Sequence, residues 1–369
     1  MDFQVDRDVL LQSLTHIQGV VEKKNTLPIL ANVLIQANEE GLLITATDMD
    51  MIISEKINAN VSTNGSTTTG SQALFDIVRK LPSNSKIHFA LLDQKKLKLV
   101  SGMSDYELTC LSADEFPILE DNLDNESITI DATSFLKLLN KTKFAISNDE
   151  TRHYLNGIFI GKDEGNKNLI AVATDGHRLS KTSINVDDNK NFHPVILPKK
   201  AIFELLSILN DQKDDIKVIS TKSKIKFLIK NISLISKVID GKFPDYSKVI
   251  PSDERIEIKA DTAKFSTALD RLRALSSDRK GVIKIKIERN NLLFTIKDIT
   301  HGGGLEKIDT SYSGPNLEIG FNSNYLIDVA NVIDSNKIIL KAKDASSPIV
   351  ICDEKDKLST FVVMPMRVV

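Results

Sequence analysis

ITIDATSFLKLLNKTKFAI, residues Ile128–Ile146, reads as a short alternating strand followed by an amphipathic helix. Its helical part places Phe135, Leu138 and Leu139 on one stripe, with Phe144 further on, while Lys137 and Lys141 share the polar face with Lys143 close by. The same reading recurs as FQVDRDVLLQSLTHIQGVV from Phe3 and as IEIKADTAKFSTALDRLRAL from Ile256. Val5, Ile130 and Ile258 take equivalent places, so a period of about 125 residues divides the chain into thirds.

The later elements recur in the same order. An apolar strand follows, in LLITATD from Leu42, LIAVATD from Leu169 and LLFTIKD from Leu292. A second helix comes next, in QALFDIVRKL, KAIFELLSIL and NYLIDVANVI, where Asp76, Glu204 and Asp328 correspond. Paired alternating strands succeed it: KIHFALL with KLKLVSG, DIKVIST with KIKFLIK, NKIILKA with PIVICDE. Each third closes on one more strand, YELTCLS, ISLISKVI or STFVVMP. The fold class is therefore α+β: a mostly antiparallel sheet with two helices, repeated three times. The links fall at the polar LEDNLDNES (Leu119–Ser127) and VIPSDER (Val249–Arg255), which predicts domains 1–125, 126–252 and 253–369.

Composition narrows the function. The chain carries 48 Lys+Arg against 50 Asp+Glu, but unevenly: 10 basic against 18 acidic residues up to Asn125, and 20 against 15 from Glu126 to Ser252. A protein gripping DNA over its whole surface would be basic throughout, so any nucleic-acid contact uses a localised face. Basic helix positions such as Lys137, Lys141 and Arg271 suit phosphate contacts that carry no base information. No apolar run reaches the ~20 residues of a membrane span. The acidic start, with Asp2, Asp6 and Asp8, is neither a secretory signal nor a transit peptide. Cys110 and Cys352 form no CxxC pair. A soluble, cytoplasmic protein is expected.

Catalysis has little support in the sequence. HGGG at His301–Gly304 resembles an oxyanion-hole loop, yet no GxSxG elbow accompanies it. SNSK (Ser83–Lys86) and SFLK (Ser134–Lys137) fit Ser-x-x-Lys without the SDN or KTG that acyl-transfer enzymes add. Asp48 and Asp50 offer a carboxylate pair for magnesium, but the same residues suit a turn at a strand end. The histidines lack the spacing of a helical zinc site, and no glycine-rich phosphate loop is present. No catalytic residue, metal or cofactor is expected.

TLPIL (Thr26–Leu30), RHYLNG (Arg152–Gly157), ATDGHRL (Ala173–Leu179), GKFPDY (Gly241–Tyr246) and the terminal VVMPMRVV, in this order within a threefold repeat, resemble the bacterial DNA polymerase III beta subunit family of replicative sliding clamps over the whole chain. The resemblance implies a head-to-tail homodimer: a six-domain ring, sheets outside and helices inside, around double-stranded DNA. It implies a non-catalytic processivity function. Implied partners are the alpha subunit of DNA polymerase III, the delta subunit of the clamp loader, and other polymerases and repair proteins bearing short linear motifs. It also implies a nucleoid-associated place in the cytoplasm.

The residues carried over fall into three sets. DNA contacts are expected at Lys24, Gln72, Asn148, Asp149, His153 and Tyr154, besides the helix residues already named. Asp149 stands where a neutral amide is common, His153 where Tyr is usual, and Gln72 where a basic residue is frequent. The partner groove is expected to use Arg152, Leu155, Thr174, Gly176, His177, Arg178 and Leu179 from the second domain. Pro244, Val249, Val362, Met364, Pro365, Met366 and Arg367 complete it, with Arg152, His177 and Arg178 orienting polar ends of the ligand. Two Met flanking a Pro cannot continue a helix, and Met surfaces adapt to several ligands. The dimer seam is expected to set Tyr106 and Leu108, on an unpaired alternating strand, against Ala274 and Leu275 of the second copy.

Overall fold

The computed structural model describes residues 1–369 apart from 22–26, 94, 119–125, 164, 166, 187–189, 211, 253–254, 277–280, 299–300 and 368–369. Every helix expected from the repeat is present. They are α1 (Arg7–Ile17), α2 (Ser71–Lys80), α3 (Ala132–Thr142), α4 (Lys199–Leu209), α5 (Thr262–Arg273) and α6 (Ser323–Ala330). In α5 the i, i+3, i+4, i+7 stripe of Phe265, Ala268, Leu269 and Leu272 is buried. Asp261 caps that helix by accepting the Lys264 N–H at 3.0 Å. In α3 the expected stripe of Phe135, Leu138 and Leu139 is likewise buried.

The chain forms two compact units, Met1–Leu136 with Asp188–Ile239, and Lys137–Asp187 with Asp240–Val369. The first is built on an antiparallel sheet in which the second repeat joins the first. Its closing strand, Ile232–Lys237, pairs with Met51–Ile57 in the register Ile232↔Glu55 to Ser236↔Met51. At the far side of the same sheet, Ser104–Leu111 pairs along its length with Lys96–Ser101. On its other side it meets Gly65–Gly70 only at Thr68↔Leu111 and Thr69↔Cys110.

The second unit repeats the device. The closing strand of the third repeat, Ser359–Val363, pairs with Arg178–Asn185 of the second, from Arg178↔Val363 to Thr182↔Ser359. The sheet continues through Ile349–Asp353, Lys337–Ala342, Ile256–Asp261 and Gly302–Ser311. Gly302–Ser311 ladders fully with Asn291–Asp298 on one side, but meets Ile256–Asp261 only at Ser311 and Thr310. The core of this repeat packs α5 and α6 against alternate strand residues, among them Phe294, Phe321, Ile351, Phe361 and Val363.

The three equivalent acidic positions of the second helices have separate uses. Asp76 accepts from Gln72 at 2.8 Å and from Arg79 at 3.0 Å on the surface. Glu204 is half-buried, and that burial raises its carboxyl pKa. Gly19 faces it with no side chain, where a Cβ would collide with the carboxylate. Asp328 accepts from Arg178.

Candidate functional site

The expected groove residues lie within the second unit, and strand register sets Thr174, Leu179 and Val362 in one row. Thr174 stands opposite Leu179, and Leu179 opposite Val362. Leu155, Leu179 and Val362 are 3%, 1% and 1% exposed, so all three are covered in this conformation. Val249 and Met364, at 39% and 38%, are exposed. Phe159 stacks on Phe243 with centroids 5.3 Å apart and meets Tyr246 at 6.0 Å, which fixes the loop carrying Pro244. Asp245 caps the following turn through the Ser247 N–H, and the Val249 N–H donates to the Tyr246 carbonyl at 3.1 Å.

Beyond Val363 the chain leaves the ladder, because Pro365 has no N–H to donate. Two backbone bonds still hold it: Met364 N–H to the His177 carbonyl at 2.9 Å, and Met366 N–H to the Gly320 carbonyl at 2.8 Å. Pro365, Met366 and Arg367 line a cavity of about 600 Å³ with Lys284, Glu318, Gly320, Ala345 and Ser346. The sequence reading missed these last five, whose polar or small side chains carry no apolar period.

Arg178 departs from its expected role. Its guanidinium donates to Asp175 Oδ2 at 3.0 Å, Asp328 Oδ2 at 2.5 Å and the Phe144 carbonyl at 2.5 Å. It lies 4.4 Å over the Tyr325 ring and 5.3 Å over that of Phe144, with 11% of its side chain exposed. A planar group so engaged ties Asp175, Asp328 and the Phe144 carbonyl together from within. Tyr325, also missed, stacks on the exposed His177 at 6.5 Å. Burial raises the Tyr325 phenol pKa, so it stays a neutral wall at physiological pH. Arg152 donates to Asp149 Oδ2 at 2.8 Å and to the Asp175 carbonyl at 3.1 Å. Gly176 passes close to it at φ +88°, where a Cβ would stand 2.7 Å from Arg152 Nη1.

The expected DNA-facing residues divide. Lys24 lies outside the described residues. Asn148 and His153 are exposed, and the His153 ring meets Tyr154 edge-on at 5.8 Å. The Thr151 hydroxyl and then Arg152 hold the Asp149 carboxyl below its ordinary pKa, so it remains an anion in this loop. Arg271 is exposed on α5 but grips Glu306 with both arms of its fork, at 2.8 and 2.6 Å.

Lys141 is a correction. It is 3% exposed, and its ammonium lies 2.7 Å from Asp356 Oδ2 and 3.0 Å from Asp334 Oδ2, which removes it from any phosphate-facing set. Lys137, half-exposed, shares the two carboxylates at 3.3 and 3.5 Å. Burial works to raise the Asp356 pKa, but the Lys141 bond and the Leu358 N–H outweigh it and hold the carboxyl far below its usual range. A carboxyl so depressed contributes stability that is complete above the unfolded pKa and is lost as pH falls toward the folded one. Lys141→Met strands a buried carboxylate and is expected to lower stability by about 2–4 kcal/mol, less than a full buried-pair loss because Lys137 remains nearby. Urea unfolding at neutral pH measures this, and the salt slope of DNA binding should not move.

At the expected seam, Tyr106 is 38% exposed whereas Leu108, at 8%, belongs to the interior. Ala274 is exposed at the C-cap of α5. Leu275 packs on the core of the third repeat.

The motifs that suggested chemistry have structural uses. Gly302–Gly304 lie in a ladder, with Ile296↔Gly304 and Lys297↔Gly303. A Cβ at Gly304 would stand 2.7 Å from Leu275 and 2.8 Å from Leu272, so glycine admits α5. Asp48 accepts the N–H groups of Asp50 and Met51 and pairs with Lys200. Asp50 pairs with Lys237. Among the described residues no group of three or more His, Cys, Asp or Glu is placed to hold a metal.

Sequence models of the DNA polymerase III beta subunit match the chain in order: its N-terminal domain over residues 1–120, its central domain over 129–245 and its C-terminal domain over 247–367. The beta sliding clamp of Caulobacter vibrioides (strain NA1000 / CB15N) is 34% identical over 372 residues, covering 100% of both chains. That of Pseudomonas aeruginosa is 31% identical over 369 residues, again covering 100% of both. Among solved structures, the Bartonella birtlesii sliding clamp bound to griselimycin superimposes with a TM-score of 0.96 at 35% identity, covering 100% of each chain. The C. crescentus beta sliding clamp with bound polyethylene glycol gives 0.95 at 34%, covering 100% of this chain and 99% of that one. With all three domains matched in order and relatives aligned end to end, the chain belongs to the DNA polymerase III beta subunit family, the beta sliding clamps.

Proposed function

We propose that the chain, a DNA sliding clamp that gives DNA polymerase III its processivity, works by topology and without catalysis. Three clamp domains, 1–125, 126–252 and 253–369, would close with those of a second copy into a six-domain ring. One observation carries this reading. Both links between repeats are made alike, a closing strand pairing with the fourth strand of its neighbour. The device leaves the closing strand of the first repeat, Ser104–Leu111, and the equivalent partner strand of the third, Gly302–Ser311, without a neighbouring repeat, each joined on one side over two residue pairs among the described residues. A second copy satisfies both edges at once, head to tail, and the rotation closes. The test is retention on covalently closed circular DNA and loss from the same DNA once linearised; equal retention on both would overturn the reading.

Contact with DNA is then weak and read from phosphates. Lys24, Lys137 and Arg271 are the cations we assign to it, Lys137 held loosely by Asp334 and Asp356 and Arg271 more tightly by Glu306. Lys24→Gln with Lys137→Gln is expected to weaken binding equally on all sequences and to reduce the slope of log K against log salt by about 1.8. A strong preference for one DNA sequence would contradict this. The groove of Leu155, Leu179, Val362 and Met364 would receive short linear motifs from the polymerase alpha subunit, the clamp loader's delta subunit, and other polymerases and repair proteins. No described helix is long and apolar enough to cross a membrane, and the proposed site of action is the nucleoid, in the cytoplasm.

A further inference from the structure

One cross-strand row runs through the groove and beyond it. Thr174 faces Leu179, Leu179 faces Val362, Val362 faces Val350, Val350 faces Lys341, and Lys341 faces Glu257. The alternate residues of these strands, Phe361, Ile351 and Leu340, point into the core of the third repeat. The row therefore lies on the opposite face, and the groove floor is continuous with it. Past Val350 this face holds a second cavity of about 590 Å³, whose lining includes Ile250, Pro251, Arg255, Lys341, Cys352 and Thr360. Ile250 directly follows Val249 of the groove rim, and Thr360 shares the face of Val362 two residues on.

The charged groups among the described lining residues are Arg255, Lys341 and Glu257. Arg255 donates to the Pro348 carbonyl at 2.5 Å, which fixes its guanidinium at the wall. Among the described lining residues Glu257 is the one acid; it lies 4.0 Å from Lys341 and 3.5 Å from Lys259, which also meets Glu354 at 3.7 Å. Lys341, with 40% of its side chain exposed and Glu257 no closer than 4.0 Å, is the cation open to a ligand at the mouth. Strands lie about 4.8 Å apart, so Lys341, two strands from Val362, stands roughly 10 Å away; an extended peptide, at about 3.3 Å per residue, covers this in three residues.

We propose that the groove extends into this cavity and takes an acidic side chain of the docked peptide there. That Asp or Glu would lie three residues from the apolar anchor seated on Leu179 and Val362, on the flank leading away from Pro365. The inference rests on the groove reading above and adds a charge specificity to it.

The experiment measures binding of synthetic peptides to the intact full-length protein by fluorescence anisotropy. Each carries a Leu/Phe anchor pair with Glu, Ala or Lys at the third position on one flank or the other. On one flank the Glu peptide is expected to bind about threefold tighter than the Ala peptide, and the Lys peptide more weakly, as for a solvent-accessible charge pair. Lys341→Gln should make Glu and Ala equal, and Lys341→Glu should favour the Lys peptide. Maleimide labelling of Cys352, which lines the cavity, should slow with the Glu peptide and not with the Ala peptide. This gives a second readout on unaltered protein. Equal binding of Glu and Ala peptides on both flanks, or an unchanged order in Lys341→Glu, would overturn the proposal. Met364→Asp separates the two readings. If it abolishes binding while the flank has no effect, only the extension fails; if it changes nothing, the groove itself is wrong.

Discussion

Tyr106→Asp combined with Ala274→Asp will convert the dimer to monomer at micromolar concentration and abolish retention on circular DNA, with the fold intact. Both side chains are exposed in the isolated chain, so neither substitution opens a core. Leu108, the other expected contact on that strand, is buried, and a charge there would confound dissociation with unfolding. The free edge at Ser104–Leu108 and the end of α5 behind Gly302–Ser311 are the surfaces that the repeat logic pairs. Losing a Tyr contact removes about 1.5–3 kcal/mol, and two facing carboxylates add repulsion in a desolvated seam. A head-to-tail ring has two such seams, so each lesion counts twice in the dimer equilibrium. The sum is about 4–8 kcal/mol, a shift of three or more orders of magnitude in the dissociation constant. Sedimentation velocity reads the mass, and a thermal melt confirms folding. A double variant that still sediments as a dimer would place the seam elsewhere.

The repeat was legible because burial follows period in the helices and most strands. Leu10, Leu14 and Ile17 in α1, and Ile338, Leu340 and Ala342 in Lys337–Ala342, are buried as their spacing requires. Some strands that did not stand out, such as Met51–Ile57 with Met51, Ile52 and Ile53 all buried, lack alternation, and another buries polar residues. In Gly65–Gly70 the run Thr67, Thr68 and Thr69 is 2%, 0% and 1% exposed. Hydrogen bonds from Thr68 to the Leu111 carbonyl and from Thr69 to the Thr109 carbonyl make that burial tolerable. Gly302–Ser311 hid behind a glycine run that reads as a loop until a helix is seen to pack on it.

The site was less legible, since its wiring is long-range. Lys141 carries the signature of a solvated helix position, and nothing local announces Asp334 and Asp356. Arg178 shows one partner nearby, Asp175, whereas Asp328 and the rings of Phe144 and Tyr325 come from other elements. The proposed groove floor rests on family resemblance, because buried Leu179 and Val362 look like ordinary strand interior.

Deleting Pro365–Val369 is expected to weaken a polymerase-derived peptide by at least about 30-fold while leaving the dimer unchanged. The deletion removes the Met366 N–H that donates to Gly320, leaving the Met364–His177 bond as the last tie. A chain end held by one bond frays. Met364, 38% exposed at the rim, then no longer walls the floor made by Leu179 and Val362. An apolar anchor losing that wall forfeits about 2 kcal/mol, which corresponds to roughly 30-fold in affinity. Met366→Ala distinguishes the backbone tie from the side chain. It keeps the N–H donor, so it should cost only the contact of one side chain and bind more tightly than the truncation. If the truncated protein binds the peptide with unchanged affinity, the terminal segment is no part of the site. If Met366→Ala equals the truncation, the wall is made by the side chain and not by the backbone bridge that holds Met364 in place.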